Sequence, residues 1–434
     1  MTETIRVAVS DLNGQARGKR LPAEYAEKLA SGAVRMPLSA LNVDISGSDI
    51  EDSPLVFESG DADGLLLPTE RGPVAMPWLE TPSELYPMAM YTHPETPFSG
   101  DPRHALAGVL ARFAARGWSV AAATELEFYL VDDSGTAPKA PIPPDANARL
   151  FGDAILSLAE LDAFDAYFTD LYAAAAEMGI PAQAAIAEAG KGQFEINLNH
   201  QDAMRAADDA WLFKMLVKGL ARKHGLAATF LAKPFEESAG NGMHVHFSVA
   251  DAEGRNVFDD GTEGGTPVLH HAVAGCLAAM ADSTLLFAPH GPSYDRYVEG
   301  AHAPTGICWG YENRTAAIRI PGGPTAARRI EHRVAGADVN PYLLLAGILG
   351  AAMNGIEDRE EPPEPITGSA YDLTLPTLAP DWETALQRFE TSAAIARILP
   401  ADLIANLAMT KRQEQARFAD LDPKDMTRLY LETV

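Results

Sequence analysis

The chain has 434 residues, and its 60 Asp and Glu outnumber 34 Lys and Arg, giving a net charge of −26 with histidine neutral. That balance leaves no cationic surplus to displace counterions from nucleic acid or to hold an anionic membrane, so neither partner is expected. An apolar fraction of 47% against 22% charged residues excludes wholesale disorder, and the length makes two domains the natural expectation.

In chain order, Met1–Arg6 lacks the apolar core of a signal peptide. Ile5–Val9 alternates as a strand, Asp11-Leu12-Asn13-Gly14 turns, and Leu41–Ile45 alternates again. A turn at Gly60–Gly64 leads to a strand at Leu65–Leu67, and a Pro-rich stretch through Pro87, Pro94, Pro97 and Pro102 marks a domain boundary. Asp101-Pro102 then caps a helix over Arg103–Arg116 that ends at Gly117. A strand over Val120–Val131 precedes a Pro-rich loop at Ser134–Asp145. Long Ala-rich helices are predicted over Leu161–Met178 and Asp202–His224, with strands at Ala184–Ala187 and Phe194–Leu198 between them. Further strands follow at Ala227–Leu231, Met243–Val249 and Thr315–Ile320. From Asp338 the chain reads as helix, interrupted by an acidic loop at Asp358–Thr367. Its most apolar run, Leu343–Met353, is too short to span a membrane and contains Gly347 and Gly350. The fold class is α+β, a small β-rich domain over 1–100 and a larger one over 101–434. Cys276 and Cys308 stand alone, which fits a reducing, cytoplasmic setting and excludes a Cys-type zinc site.

Side chains two apart on a strand share a face. Glu125 and Glu127, His244 and His246 with Ser248, and Arg329, Glu331 and Arg333 are paired in this way. Any single pair reads as the solvated side of a strand. Their recurrence beside Glu188 and Glu195, joined by a loop with Gly190 and Gly192, points instead to a shared pocket. Carboxylates with an imidazole suit Mg²⁺ or Mn²⁺ better than zinc. Arg296, Arg314, Arg319, Arg328, Arg329 and Arg333 crowd into a region of a chain otherwise poor in basic residues. Metal ions with arginine forks are what phosphoryl transfer requires, although Arg328 has no patterned partner and reads as structural. No standard nucleotide loop occurs. Gly14–Arg20 is one residue short of a phosphate loop and ends in arginine, and Gly240-Asn241-Gly242 is not a dinucleotide fingerprint.

Glu125-Leu126-Glu127-Phe128, Gly192-Gln193-Phe194-Glu195, Lys233-Pro234-Phe235, Gly242–Ser248, Asn313–Pro321 and Arg329–Arg333 together resemble the glutamine synthetase family, in its order and approximate spacing. The resemblance implies a β-grasp-like N-terminal domain and a catalytic domain shaped as an antiparallel sheet funnel flanked by helices. It implies a homo-oligomer of two stacked hexameric rings, a dodecamer, with each site completed by a neighbour. The implied chemistry is ATP-dependent: the γ-carboxylate of glutamate is phosphorylated, and an amine then attacks the acyl phosphate. Carried over, Glu127, Glu188 and Glu195 resemble the ligands of one divalent ion, and Glu125, His244 and Glu331 those of a second. Arg296 and Arg333, beside Gly240, resemble the glutamate-binding residues. Arg314, Arg319 and Arg329 resemble the phosphate-gripping arginines, with His246 and Ser248 on the nucleotide side. Two features depart from the family pattern. His302 stands where the family's flap carries glutamate, and Asn241 replaces the usual serine setting near the glutamate amino group. Asp44 is matched to the second acid of the ammonium pocket, and Tyr371 loosely resembles a tyrosine that some members modify. The altered nucleophile pocket resembles the γ-glutamylputrescine and γ-glutamylmethylamide synthetase branch, with an alkylamine or polyamine acceptor. A true glutamine synthetase and a non-catalytic ring protein are the alternatives.

Overall fold

The computed structural model describes residues 4–135, 137–144, 146, 148–150, 155–298 and 303–434. The chain opens with a hairpin, β1 (Thr4–Ser10) and β2 (Ala16–Pro22), whose turn places Gly14 at φ 80°. It continues through β3 (Val34–Pro37), β4 (Asp63–Pro68), β5 (Val74–Ala75), β6 (Ser83–His93) and β7 (Thr96–Pro97). These strands form one sheet in the order β2-β1-β6-β4-β3, with β5 and β7 also paired to β6. The β1–β6 pair is parallel.

One expectation fails here, and one strand was not foreseen. Leu41–Ile45 is not a strand: Leu41, Asn42 and Asp44 make backbone bonds within turns and to Leu12, while Ile45 N–H donates to Glu414 and Gln15 donates to Ile45 O. All five residues are buried, in a loop whose polar members find hydrogen-bond partners inside the fold. The Pro-rich stretch contains β6, the central strand of the sheet. Pro87 is tolerated because pairing with β1 ends at Ala8↔Pro87 and pairing with β4 begins at Pro68↔Met88, so no donor is needed at the switch.

Beyond it come α1 (Pro102–Ala114), capped by Asp101 as expected, then β8 (Ser119–Val131), α2 (Leu158–Asp162), α3 (Asp165–Glu177), β9 (Ala182–Ala187), β10 (Gln193–Asp202) and α4 (Ala203–Lys223). The predicted helix over 161–178 is thus two helices, broken where buried Phe164 leaves helical geometry and packs on Phe194. Next are β11 (Ala227–Thr229), β12 (Met243–Ala250), α5 (Pro267–Ala279), α6 (Thr284–Phe287), β13 (Trp309–Tyr311), β14 (Ile318–Ile320) and β15 (Ile330–His332). The strand expected from Thr315 starts only at Ile318, since Thr315 N–H donates to the Asn313 side chain in a turn. The chain closes with α7 (Pro341–Asp358), α8 (Trp382–Thr391), α9 (Ala393–Ala396), α10 (Ala401–Phe418) and α11 (Pro423–Thr433). No helix among the described residues is long and apolar enough to cross a membrane.

The second sheet runs β13-β14-β15-β12-β8-β10-β9, with β11 on β8, and is antiparallel except at β13–β14. Leu126, Phe128, Phe194, Ile196, Val245, Phe247 and Ile330 on one face are buried in the main core with α1, α4, α5 and α7. Burying one face fixes the register, because a slip of one residue would send every polar side chain inward. The other face is left for the acids and imidazoles.

Candidate active site

Register, more than sequence distance, builds the site. Glu195 of β10 lies opposite Glu127 of β8, and Glu125 opposite His244 of β12. His246 lies opposite Glu331 of β15, and Glu331 opposite Arg319 of β14. One polar row therefore crosses five adjacent strands on a single face. His244 Nδ1 and His246 Nε2 each lie 3.0 Å from a Glu125 oxygen. Ligating atoms of Glu125, Glu195 and His244 fall within 4.8 Å of one another, as do those of Glu125, His246 and Glu331. Glu125 is common to both groups. His246, expected on the nucleotide side, also stands within ligating reach. Glu127 accepts the Gly242 N–H at 2.7 Å, and Glu188 comes up from the β9–β10 loop. That loop needs its glycines: a Cβ on Gly190 would sit 1.8 Å from the Tyr129 hydroxyl, and Gly192 has φ 79°.

The electrostatics divide the acids. Burial, then the charges of Glu125, Glu127 and Glu188, push Glu195 up to about 9. Burial and the charges of Glu127 and Glu125 raise Glu188 to about 7. Glu127 is raised as well, by burial, against the pull of Arg296 and Arg333. Burial also works to raise Glu125, but hydrogen bonds and charge from His244 and His246 outweigh it and hold that carboxylate below its usual range. Glu331, opposed by burial in the same way, is brought down by Arg333, the two histidines and Arg319. Carboxylates that resist joint ionisation are a site short of positive charge. Oxygen-rich ligation with one or two imidazoles fits a hard divalent cation such as Mg²⁺ or Mn²⁺.

Arginines rim the row. Arg319 Nη1 bonds Glu331 at 2.7 Å and Nη2 bonds Glu312 at 3.0 Å, while its buried Nε has no partner among the described residues. Arg333 also grips Glu331. Arg296 is buried, donates to Val334 O at 2.7 Å, and lies so close to Gly240 that a Cβ there would be 2.8 Å from its Cγ. Arg329 Nε approaches His246 Nδ1 at 3.3 Å. Together with His246, Ser248, Asn197 and Asn256, it lines a cavity of about 540 Å³. Arg314 is exposed, and its charge reaches both Glu188 and Glu312. Arg328 is structural, donating to the carbonyls of Glu263 and Thr262.

Asp44, Asn241 and Tyr371 spend their hydrogen bonds outside the polar row. Asp44 is fully buried, and its carboxylate accepts from Ser46 N–H, Ser48 N–H and Arg417, so its partners come from its own loop and α10. Asn241 is spent on Leu231 O and Gln193, so its amide braces the strand end away from the pocket. His302 lies outside the described residues. Tyr371 donates to Ala303 O at 3.3 Å. Asn197, which donates to Glu195 at 3.1 Å, was missed by sequence reasoning, although it lies two residues beyond that acid on the same strand face. Glu312 carries no periodic signal at all.

The glutamine synthetase catalytic domain family matches residues 99–429. Escherichia coli γ-glutamylputrescine synthetase is 37% identical over 382 residues, covering 86% of this chain and 79% of that protein. A Pseudomonas glutamate–isopropylamine ligase is 31% identical, covering 94% and 90%. Streptomyces coelicolor γ-glutamylethanolamide synthetase is 30% identical, covering 96% and 90%. A solved GmaS/ADP complex superposes with a TM-score of 0.86 at 28% identity, over 99% of this chain and 97% of that one. The chain belongs to the glutamine synthetase family.

Proposed function

We propose that the protein is an ATP-dependent γ-glutamyl–amine ligase whose acceptor is an alkylamine or polyamine. What supports the chemistry is the polar row from Glu195 to Arg319, with acids gathered at one point and arginines around them. What supports the acceptor class is the similarity to relatives named for putrescine, isopropylamine and ethanolamide. Two or more Mg²⁺ or Mn²⁺ ions held by Glu125, Glu127, Glu188, Glu195, His244 and Glu331 would supply the positive charge that screens the phosphate oxygens.

In this reading Arg296 and Arg333 orient the glutamate α-carboxylate, leaving the γ-carboxylate to attack the terminal phosphorus of ATP. The bond from that phosphorus to the ADP oxygen breaks, and a γ-glutamyl phosphate forms. Arg314, Arg319 and Arg329 stabilise the charge on the transferring group, as fixed guanidinium forks do without reorganising. The amine nitrogen then attacks the acyl carbon, phosphate departs, and the nitrogen loses a proton. His302 is the proposed acceptor of that proton: a neutral imidazole serves as base near pH 7 but offers no fixed negative charge for ammonium. Asp44 reaches an amine pocket only if the ring delivers its loop to a neighbouring subunit. Two hexameric rings, a cytoplasmic location and a division near residue 100 belong to the same proposal.

The experiment is phosphate release from ATP with glutamate and a panel of amines, with Glu127→Ala as control. Stimulation by putrescine or an alkylamine well beyond that by ammonium is expected. Equal or better use of ammonium would overturn the acceptor assignment, and activity surviving in Glu127→Ala would overturn the metal site.

A further inference from the structure

Glu312 follows β13 with φ 52°, a left-handed conformation that disfavours any side chain. Its N–H bonds Ile320 O, a contact that glycine could make with less backbone cost. Yet the side chain is put to use: its Oε1 accepts from Arg319 Nη2 at 3.0 Å and also from the Gly322 N–H. A Cβ on Gly322 would come within 3.1 Å of the Glu312 Cδ, so the close approach depends on that glycine. The Glu312 side chain is 61% exposed, and an ion pair at that exposure adds little stability. An unfavourable backbone combined with a weak surface ion pair makes poor sense as a stabilising device. Its contact is with an arginine of the candidate site. Of the four non-glycine residues with positive φ among the described residues, it is the one bonded to that group.

Arg319 has a second carboxylate, Glu331, but Glu331 is contested. It also contacts Arg333 and stands within ligating reach of Glu125 and His246. An oxygen drawn to a cation is no longer free to hold the guanidinium in one plane. Glu312 holds the other terminal nitrogen of Arg319 from the exposed side and belongs to neither acid group, so it can hold Arg319 whatever Glu331 does.

We propose that Glu312 is a positioning residue for Arg319, tethering its guanidinium from the outer side so that it stays aimed at the transferring phosphoryl group. The proposal rests on the ligase reading above. Its test compares wild type with Glu312→Ala, Glu312→Gln and Glu312→Gly, measuring kcat and KM for ATP, calorimetric binding of ADP and of β,γ-imido-ATP, and melting temperature. Glu312→Ala and Glu312→Gly are expected to lose about tenfold in kcat/KM for ATP, and similarly in affinity for the imido analogue, with ADP binding unchanged. Glu312→Gln keeps a carbonyl oxygen for both donors and is expected to recover most of the loss. Glu312→Gly is expected to melt at or above wild type, since it relieves the backbone; a residue kept for stability would do the reverse. Wild-type kinetics in Glu312→Ala, or losses that follow melting temperature without rescue by Gln, would overturn the proposal alone. A wild-type protein without amine-stimulated phosphate release would overturn the ligase reading and the proposal with it.

Discussion

Divalent metal binding should expel protons from the acid row, and the number follows from the site. Glu195, raised to about 9 by burial and three neighbouring carboxylates, is largely protonated at pH 7 in the metal-free protein. Glu188, raised to about 7, is about half protonated there. An ion that requires both as carboxylates therefore releases on the order of one proton or more on binding at pH 7. Titrating Mn²⁺ or Mg²⁺ into metal-free protein, in buffers of different ionisation enthalpy, reads that number directly. The stability consequence has a definite sign. Both folded pKa values lie above the roughly 4.5 of an unfolded glutamate, so the folded state binds more protons between those limits. The contribution is complete below about pH 4.5 and is lost as pH rises through about 7 and then about 9. The metal-free protein should melt progressively lower over that window, and the cation should reverse the trend. Release of fewer than about 0.5 protons at pH 7, with pH-independent metal affinity, would refute the reasoning.

Truncating Glu414 should be costly, because its buried carboxylate accepts from Lys411 at 2.9 Å, Asn13 at 2.9 Å and the Ile45 N–H at 2.8 Å. Glu414→Ala leaves the buried Lys411 ammonium bonded to Asn13 but without a counter-charge, a loss of about 3–5 kcal/mol, whereas the double change Lys411→Met, Glu414→Leu should recover more than half of it. Denaturant midpoints of the three proteins check this, and a double variant no better than the single one would count against it. Gly190→Ala should force Tyr129 away from its bond to Ala239 O and loosen the loop bearing Glu188. Mn²⁺ affinity should fall by about tenfold, and an unchanged titration would show that the loop tolerates the methyl group. Arg296→Lys should raise KM for glutamate by about tenfold or more while leaving KM for ATP nearly unchanged, because an ammonium cannot reproduce a bidentate fork. Equal effects on both substrates would place Arg296 elsewhere in the reaction.

Much of the site was legible in the sequence because strand alternation is a local property. Glu125 with Glu127, His244 with His246, and Glu331 with Arg333 share a face through a period of two, whichever strands they meet. The helices at Pro102–Ala114 and Ala203–Lys223 were equally legible, since Asp101 and Asp202 cap them and Gly117 and Gly225 follow with positive φ. What alternation could not supply was strand order. That Glu195 faces Glu127 while His246 faces Glu331 depends on how β10, β8, β12 and β15 pair, which is decided by burying one apolar face against helices far along the chain. The same dependence explains the errors. Leu41–Ile45 mimics a strand although it is a loop buried on all sides, its polar residues paired within the fold, and Ser83–His93 hides its strand behind a proline tolerated only where β6 changes partners. Composition and motifs determined the acid-rich, arginine-rimmed chemistry, because side-chain type and local spacing are written in the chain. Tertiary structure alone decided that Asp44 is held by Arg417, that Asn241 braces a strand end and that Glu312 reaches Arg319, because each contact joins segments whose approach is set by packing.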